Sequence, residues 1–250
     1  MFLLPKLNNK SPPDVSSLDT HLKDKVVVVT GASRGLGKCI SKELIDSGTL
    51  LALCSRNLTD LNKEFTTDSQ DQVMLRSVDI CQPVQTQKFI NDVAIKFGRI
   101  DVLINNAGTF LEKPLENVSE EEYDRIFDTN LKGAFFMSKA VIPPMKSQRN
   151  GTIINIGSKI SHNTNISPGK TLYAATKYAL EGFSFALARE LKSFGIRVTC
   201  LMPGTLQTFM SFNSHRFLSP RTLSQIIKII IAFDQVDFES LVIKSAKQSI

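Results

Sequence analysis

The 250-residue chain has little with which to cross-link itself or to hold a metal. Its four cysteines, Cys39, Cys54, Cys81 and Cys200, lie far apart and form no C-x-x-C pair, which leaves neither a redox couple nor a thiolate cage. Cys54 and Cys200 sit inside apolar runs and read as small buried hydrophobes. The three histidines, His21, His162 and His215, share no metal-ligand spacing, so no metal site is expected. No apolar run approaches the ~18 residues that span a bilayer. The opening Met1-Phe2-Leu3-Leu4 is cut short by Pro5, too little for a signal-peptide core. A soluble chain in a reducing, cytoplasmic setting is expected. There is no block of five like charges, although 30 basic against 24 acidic residues leave a net charge of +6. That scattered surplus argues against nucleic acid and suits a small anionic ligand. No repeat of 20–50 residues occurs. With 42% hydrophobic and 22% charged residues, a disordered or low-complexity chain is excluded.

What the chain does have is alternation. Lys25-Val-Val-Val-Val-Thr30 is a β-branched run of the kind that forms a strand buried on both faces. Further strands are expected at Leu50–Cys54, Val73–Val78, Asp101–Asn105, Thr152–Ile156, Arg197–Met202 and Ser240–Ile243. Helical patterns lie between them. One runs from Leu36 to about Ser47 and is closed by Gly48. A long one opens on the capping box Ser119/Glu122 and is kinked or ended by Pro143-Pro144. The last starts at Ser219-Pro220, with Pro at its permitted first position. Seven strands alternating with helices predict right-handed crossovers. The fold class is α/β: a Rossmann-like doubly wound sheet of about seven parallel strands with helices on both faces. Residues 1–24, with Ser-Pro-Pro and several Asn, read as a flexible arm, and residues 25–250 as one domain.

The first strand runs straight into Thr30-Gly31-Ala32-Ser33-Arg34-Gly35-Leu36-Gly37. Glycines there let the backbone turn sharply and approach a pyrophosphate, which the free N–H groups of the following helix then hold. The spacing is G-x-x-x-G-x-G, not the usual G-x-G-x-x-G; by itself it also reads as a tight strand–helix turn, but its place after the first strand and before a helix favours the phosphate-binding reading. The second strand ends Leu53-Cys54-Ser55-Arg56-Asn57, without the carboxylate that would bond a ribose 2′-hydroxyl in an NAD site. Arg56 and Arg34 instead suit a 2′-phosphate, each charge-assisted bond contributing about 1.5–3 kcal/mol. Either arginine alone passes for a solvated surface residue; with the acid missing, the pair points to NADP(H) over NAD(H). Asp79, closing the third strand, is placed to accept a bond from an adenine amino group.

Asn105-Asn106-Ala107-Gly108 ends the fourth strand at the carboxyl edge, where open α/β sheets bind ligands. Ser158 follows the fifth strand, and Tyr173 and Lys177 follow on a helical pattern. Their i, i+4 spacing puts both on one helix face, so that the ammonium approaches the phenol. A free phenol titrates near 10, and an adjacent cation lowers that value toward useful acid–base work. A serine hydroxyl nearby would polarise a carbonyl oxygen. In isolation Y-x-x-x-K means little, and Tyr173 alone is a plausible interfacial aromatic; it is the ordered set, each part at a strand's carboxyl end, that is improbable by chance.

That set resembles the short-chain dehydrogenase/reductase superfamily over about residues 24–243. The matching segments are TGASRGLG at 30–37, VD at 78–79, NNAG at 105–108, Asn130 in DTNLKG, Ser158 in NIGSKIS, YAATK at 173–177 and PGTLQT at 203–208. The resemblance implies Tyr173 as acid/base, Lys177 as the residue that holds the nicotinamide ribose and lowers the Tyr173 pKa, and Ser158 as the group orienting the substrate carbonyl. It implies that Asn130 holds a water in a proton relay reaching Lys177, and that Pro203, Gly204, Thr205 and Thr208 meet the nicotinamide. With these, Gly31, Ser33, Arg34, Gly35, Leu36, Gly37, Ser55, Arg56, Asp79, Ile80, Asn106, Ala107, Gly108, Tyr173 and Lys177 make up the implied NADP(H) contacts. Homo-tetramers or homo-dimers packing through the helices at 119–142 and 173–194 are implied too.

Two features depart from the pattern. The Ser158–Tyr173 interval is a residue or two long, with His162, Asn163 and Asn165 in it. The segment after Thr208 is short and holds Phe209, Met210, Phe212, His215 and Phe217, which read as a substrate pocket or equally as core or oligomer contact. His162 and His215 read as solvent-side loop residues. The function these residues support is NADPH-dependent reduction of a ketone or aldehyde, such as a 3-oxoacyl thioester or a xenobiotic carbonyl. Oxidation of a secondary alcohol, steroid or sugar, uses the same groups. A non-catalytic sensor of dinucleotide redox state would be expected to have lost Tyr173 or Lys177.

Overall fold

The computed structural model describes residues 18–65, 71–162, 166–206 and 218–246. Within them a single seven-stranded parallel sheet has the order β3-β2-β1-β4-β5-β6-β7. Its strands are β1 (Val26–Thr30), β2 (Leu50–Ser55), β3 (Val73–Ser77), β4 (Val102–Asn105), β5 (Gly151–Ile156), β6 (Ile196–Pro203) and β7 (Ser240–Ile243). The sequence-based strands all form, within a residue or so of their expected ends. Every residue of β1 is buried. Val27 and Val29 face a core shared with α2 (Gly35–Asp46) and α8 (Pro220–Ala232). Val26 and Val28 face the opposite one, built on α4 (Pro83–Phe97), α6 (Gly133–Gln148) and α7 (Thr171–Leu191). A strand with both faces covered cannot alternate apolar with polar, which is why the run reads as unbroken valine.

Strand order reverses between β1 and β4, so the loops after these two strands diverge and leave a crevice at the carboxyl edge. Two cross-links hold that edge. The Ala32 N–H donates to Cys54 O (3.2 Å), and the Thr30 hydroxyl accepts from the N–H groups of Asn106 and Ala107 (3.0 Å each).

Three local expectations are revised. The arm is not loose to residue 24: α1 (Leu18–Leu22) docks against α8, with Leu22 fully buried and Asp19 bonded by Ser47 and Lys228. The long helix after Ser119 does open on its capping box. However, α5 (Glu120–Phe127) passes through a π turn at Asp128–Lys132 into α6. Pro143 and Pro144 do not end α6, which continues to Gln148 before Arg149 closes it in the left-handed conformation. Proline costs a helix its N–H and crowds the carbonyl four residues back, but here only the last turns are affected, and fully buried Met145 holds them down.

Candidate active site

The Gly-rich turn is shaped for an anion. Gly31 and Gly35 take φ of +65° and +56°, which L side chains rarely adopt. A Cβ at Gly31 would come within 2.9 Å of Ala107 Cα, and one at Gly37 would collide with the Asn106 amide and Gly31 O. Asn106 ties this turn to β4, its Nδ2 donating to Thr30 O (2.9 Å) and Gly31 O (3.2 Å). Arg34, the residue before α2, gives that helix no side-chain cap, and its first turn carries no acid. The first N–H groups of a 12-residue helix are therefore left without a side-chain cap, at a turn whose residues Gly35 and Leu36 line a cleft. Beside Gly35 there is open space.

A cleft of about 430 Å³ lies against this turn. Gly31, Ser33, Arg34, Gly35, Leu36, Ser55, Arg56, Asp79, Ile80, Asn106, Ala107 and Gly108 line it, so the structure brings together most of the dinucleotide contacts expected from sequence. Gly37 is buried behind it. Arg34 and Arg56 are both exposed at its wall. The Asp79 Oδ1 accepts from the Cys81 N–H (3.0 Å), which fixes the carboxylate at the cleft.

Sequence reasoning missed Cys54, Asn57, Asp60, Val78, Cys81 and Thr129, which also line the cleft. Asp60 matters most. The sequence places no carboxylate at the end of β2, yet one arrives from the first turn of α3 (Leu58–Glu64). Asn57 caps that helix, its Oδ1 accepting from the N–H groups of Thr59 (3.0 Å) and Asp60 (3.4 Å). The signal was present in Asn57-x-x-Asp60, a helix start with an acid in its first turn.

At the chemical end, Lys177 is buried and its Nζ donates to Ile156 O (2.8 Å). Burial pushes its pKa down to about 8. Tyr173 lies one turn earlier on α7, with the Lys177 ammonium 5.8 Å from its ring centre. Burial raises the Tyr173 phenol above its usual value, and the hydrogen bond with Ser158 opposes that rise. The expected lowering of the phenol by Lys177 is thus not what this arrangement produces: the ammonium is drawn to a backbone carbonyl instead. Phe110 stands edge-on to the Tyr173 ring at 4.9 Å and is half exposed.

Asn130 sits in the π turn and is buried. Its Oδ1 accepts from the Thr109 N–H (2.7 Å), and its Nδ2 donates to Thr109 O (2.9 Å) and the Thr176 hydroxyl (3.0 Å). Thr176 precedes Lys177, so Asn130 welds the loop after β4 to α7. Gly108 completes the junction: a Cβ there would lie 3.4 Å from Asn130 Oδ1 and 3.9 Å from Lys177 Nζ. The π turn, which re-aims a helix by one extra residue, is what brings Asn130 inward.

Pro203 and Gly204 are buried at the end of β6, the Gly204 N–H donating to Ile243 O (2.6 Å). Thr205 is exposed and its carbonyl accepts from the Leu218 N–H (3.0 Å). None of the three lines the 430 Å³ cleft. Thr208, the aromatic segment Phe209, Met210, Phe212, His215 and Phe217, and the loop residues Asn163 and Asn165 lie outside the described residues. Cys54 and Cys200 are fully buried, as their apolar surroundings predict. Among the described residues no group of three or more His, Cys, Asp or Glu is arranged to hold a metal, and no helix is long and apolar enough to cross a membrane.

A doubly wound sheet with an uncapped helix over a cleft at its switch point, and a Ser–Tyr–Lys set at the same edge, defines a dinucleotide-binding oxidoreductase. The chain belongs to the short-chain dehydrogenase family, whose model matches residues 25–217; that family binds nicotinamide dinucleotides. An uncharacterised oxidoreductase of Staphylococcus saprophyticus is 38% identical over 190 residues, covering 75% of this chain and 76% of its own. A 3-oxoacyl-[acyl-carrier-protein] reductase of Buchnera aphidicola is 36% identical over 206 residues, 82% of each chain. Among solved structures, an alcohol dehydrogenase of the archaeon Thermococcus sibiricus complexed with 5-hydroxy-NADP superposes with a TM-score of 0.82 at 28% identity, covering 91% of this chain and 99% of that one.

Proposed function

We propose that the protein is an NADP(H)-dependent reductase of a ketone or aldehyde, of the 3-oxoacyl thioester or xenobiotic carbonyl type, with Tyr173 as the proton donor. The observation that carries this reading is the Ser158–Tyr173–Lys177 set at the carboxyl edge of the sheet that bears the cleft. The Tyr173 hydroxyl is hydrogen-bonded to Ser158, and burial raises its pKa rather than lowering it, so the phenol carries its proton at neutral pH. A neutral phenol donates a proton, and reduction requires one at the carbonyl oxygen.

When bound, the nicotinamide supplies the hydride; the remaining steps belong to the chain. The α2 N-terminus and the Gly31–Gly37 turn hold the pyrophosphate. Arg34 and Arg56 hold a 2′-phosphate, Asp79 and Ile80 the adenine side, and Asn106 to Gly108 with Pro203, Gly204 and Thr205 the remainder. Ser158 orients the carbonyl oxygen toward the Tyr173 hydroxyl. Lys177, charged below about pH 8, holds the ribose and offsets the negative charge left on the phenolate. Asn130 fixes the loop after β4 to α7 through its three side-chain hydrogen bonds and so positions the turn before Lys177; we assign it the water of the proton relay.

Run backwards, the same groups oxidise a secondary alcohol. In that direction Tyr173 accepts the alcohol proton as its phenolate, which the Lys177 ammonium stabilises while it remains charged. Homo-oligomerisation through α5, α6 and α7 is supported by Tyr123, Phe135, Tyr178 and Phe185, large apolar side chains left exposed on those helices. Four free thiols fit a reducing, cytoplasmic compartment.

The test is NADPH oxidation at 340 nm against an acetoacetyl thioester of N-acetylcysteamine, 4-nitrobenzaldehyde and cyclohexanone, repeated with NADH. Turnover of at least one carbonyl, with higher kcat/KM for NADPH, is expected. Failure with all three, and with their alcohols in reverse, would remove the reading.

A further inference from the structure

The sequence sets His162 aside as a solvent-side loop residue, yet its Nε2 lies 2.7 Å from the Oε1 of Glu181. The two ends differ in environment. The His162 side chain is 46% exposed, whereas that of Glu181 is 10% exposed. Glu181 lies on α7, four residues beyond Lys177 and eight beyond Tyr173, so all three share one stripe of the helix. The Cys200 thiol of β6 lies close enough to feel both the Glu181 carboxylate and the Lys177 ammonium. That ammonium stands one turn before Glu181 on α7, but its Nζ donates to Ile156 O. A carboxylate withdrawn from water to this degree is costly without a donor, and His162 is the donor it has.

His162 is in turn coupled to Ser158. The short helical turn Lys159–His162 follows Ser158 directly. Within it, buried Ser161 donates from its hydroxyl to Ser158 O (3.0 Å) and from its N–H to the same oxygen (3.2 Å). The Ile160 N–H donates to Ser158 Oγ (3.3 Å). Residues 158–162 are therefore hydrogen-bonded into one turn, fastened to α7 at its far end.

We propose that His162, through Glu181, clamps the turn that carries Ser158 to the helix that carries Tyr173 and Lys177, and so sets the approach of the Ser158 hydroxyl to the phenol. His162 is a positioning residue: it touches neither reacting group. The clamp also accounts for the long interval between Ser158 and Tyr173, since added loop length is harmless when its near end is pinned to α7. This inference rests on the catalytic reading of Ser158 and Tyr173 given above, and its test separates the two.

The experiment compares wild type, His162→Ala and His162→Gln. It reads kcat for 4-nitrobenzaldehyde with NADPH, the Kd of NADPH by fluorescence, and amide hydrogen exchange over residues 158–162. For His162→Ala, kcat falls roughly tenfold or more, because small misplacements at a reacting centre are costly. The Kd of NADPH stays within about twofold, and exchange in the turn accelerates while β5 is unaffected. In His162→Gln the amide N–H still reaches Glu181, so both kcat and exchange return most of the way to wild type. An unchanged kcat in His162→Ala overturns the proposal, as does a His162→Gln variant no better than alanine. If the wild type reduces no carbonyl, the functional reading has failed on its own. The clamp is then decided by exchange alone: acceleration in His162→Ala reversed in His162→Gln upholds it, and unchanged exchange overturns it.

Discussion

Replacing Lys177 with methionine should abolish turnover and yet make the protein more stable at neutral pH. Burial lowers the Lys177 pKa from 10.5 to about 8. A lysine whose folded pKa lies below its unfolded value costs stability, and the sign is opposite to that of a salt-bridged lysine. The cost is fully present below the folded pKa, near 8, and disappears above the unfolded one. At about 1.4 kcal/mol per pH unit, holding the ammonium folded costs ~3 kcal/mol at pH 7 and under ~1 kcal/mol at pH 10. Methionine removes this cost but leaves Ile156 O without the donor it now has, a loss of about 1–3 kcal/mol at any pH. The variant is therefore more stable by up to ~2 kcal/mol at pH 7 and less stable by a similar amount at pH 10. The difference between the two proteins swings by about 2–3 kcal/mol, and that swing does not depend on the value of the lost hydrogen bond. Urea denaturation of both proteins at pH 7 and pH 10 measures it, with all other titrating groups cancelling in the comparison. A swing below about 0.5 kcal/mol would refute the claim that the ammonium is held out of water.

Three further outcomes are expected. Arg56→Asp moves the ratio of kcat/KM for NADPH over NADH toward NADH by at least roughly tenfold, about 1.4 kcal/mol, since it replaces an attraction with a repulsion at a cleft that already contains Asp60; an unchanged ratio in steady-state assays puts Arg56 in solvent. The kcat/KM for reduction falls as pH rises through about 8, because Lys177 is charged only below that value, while Tyr173, raised above the usual phenol range, stays protonated; a profile flat to pH 10 contradicts the role given to the ammonium. Leu22→Ala, which removes the fully buried side chain of α1, costs about 2–4 kcal/mol by denaturant titration, and a cost near zero would mean that α1 does not dock.

The sheet was legible because its central strands β1, β4 and β5 are covered on both faces. Unbroken runs such as Val26–Val29 have no surface-strand reading, and the turns between them carry their own glycines. The lining of the cleft was equally legible, since the turn beside it is built from backbone, and such turns leave their mark as glycines at fixed places. What escaped was set by tertiary packing. The π turn at Asp128–Lys132 has no local signature; it exists because Asn130 must reach Thr109 and Thr176. Pro143 and Pro144 signalled a helix end that buried Met145 overrides. Leu18–Leu22 looked like part of a polar arm because five residues show too little periodicity to reveal one buried leucine. Asp60 and Glu181 are ordinary helix acids in sequence, and only the fold brings one to the cleft and the other to His162.

The central claim is that the Tyr173 hydroxyl delivers the proton in a hydride-transfer reaction at this sheet edge. Tyr173→Phe keeps the ring, its edge contact with Phe110 and the α7 helix, and deletes one oxygen. Single-turnover NADPH oxidation with a carbonyl that the wild type reduces, paired with NADPH binding by fluorescence, reads chemistry and cofactor affinity apart. The account predicts a fall in rate of roughly a hundredfold or more, with the Kd of NADPH unchanged within about twofold. A variant that reduces the carbonyl at near wild-type rate would contradict it.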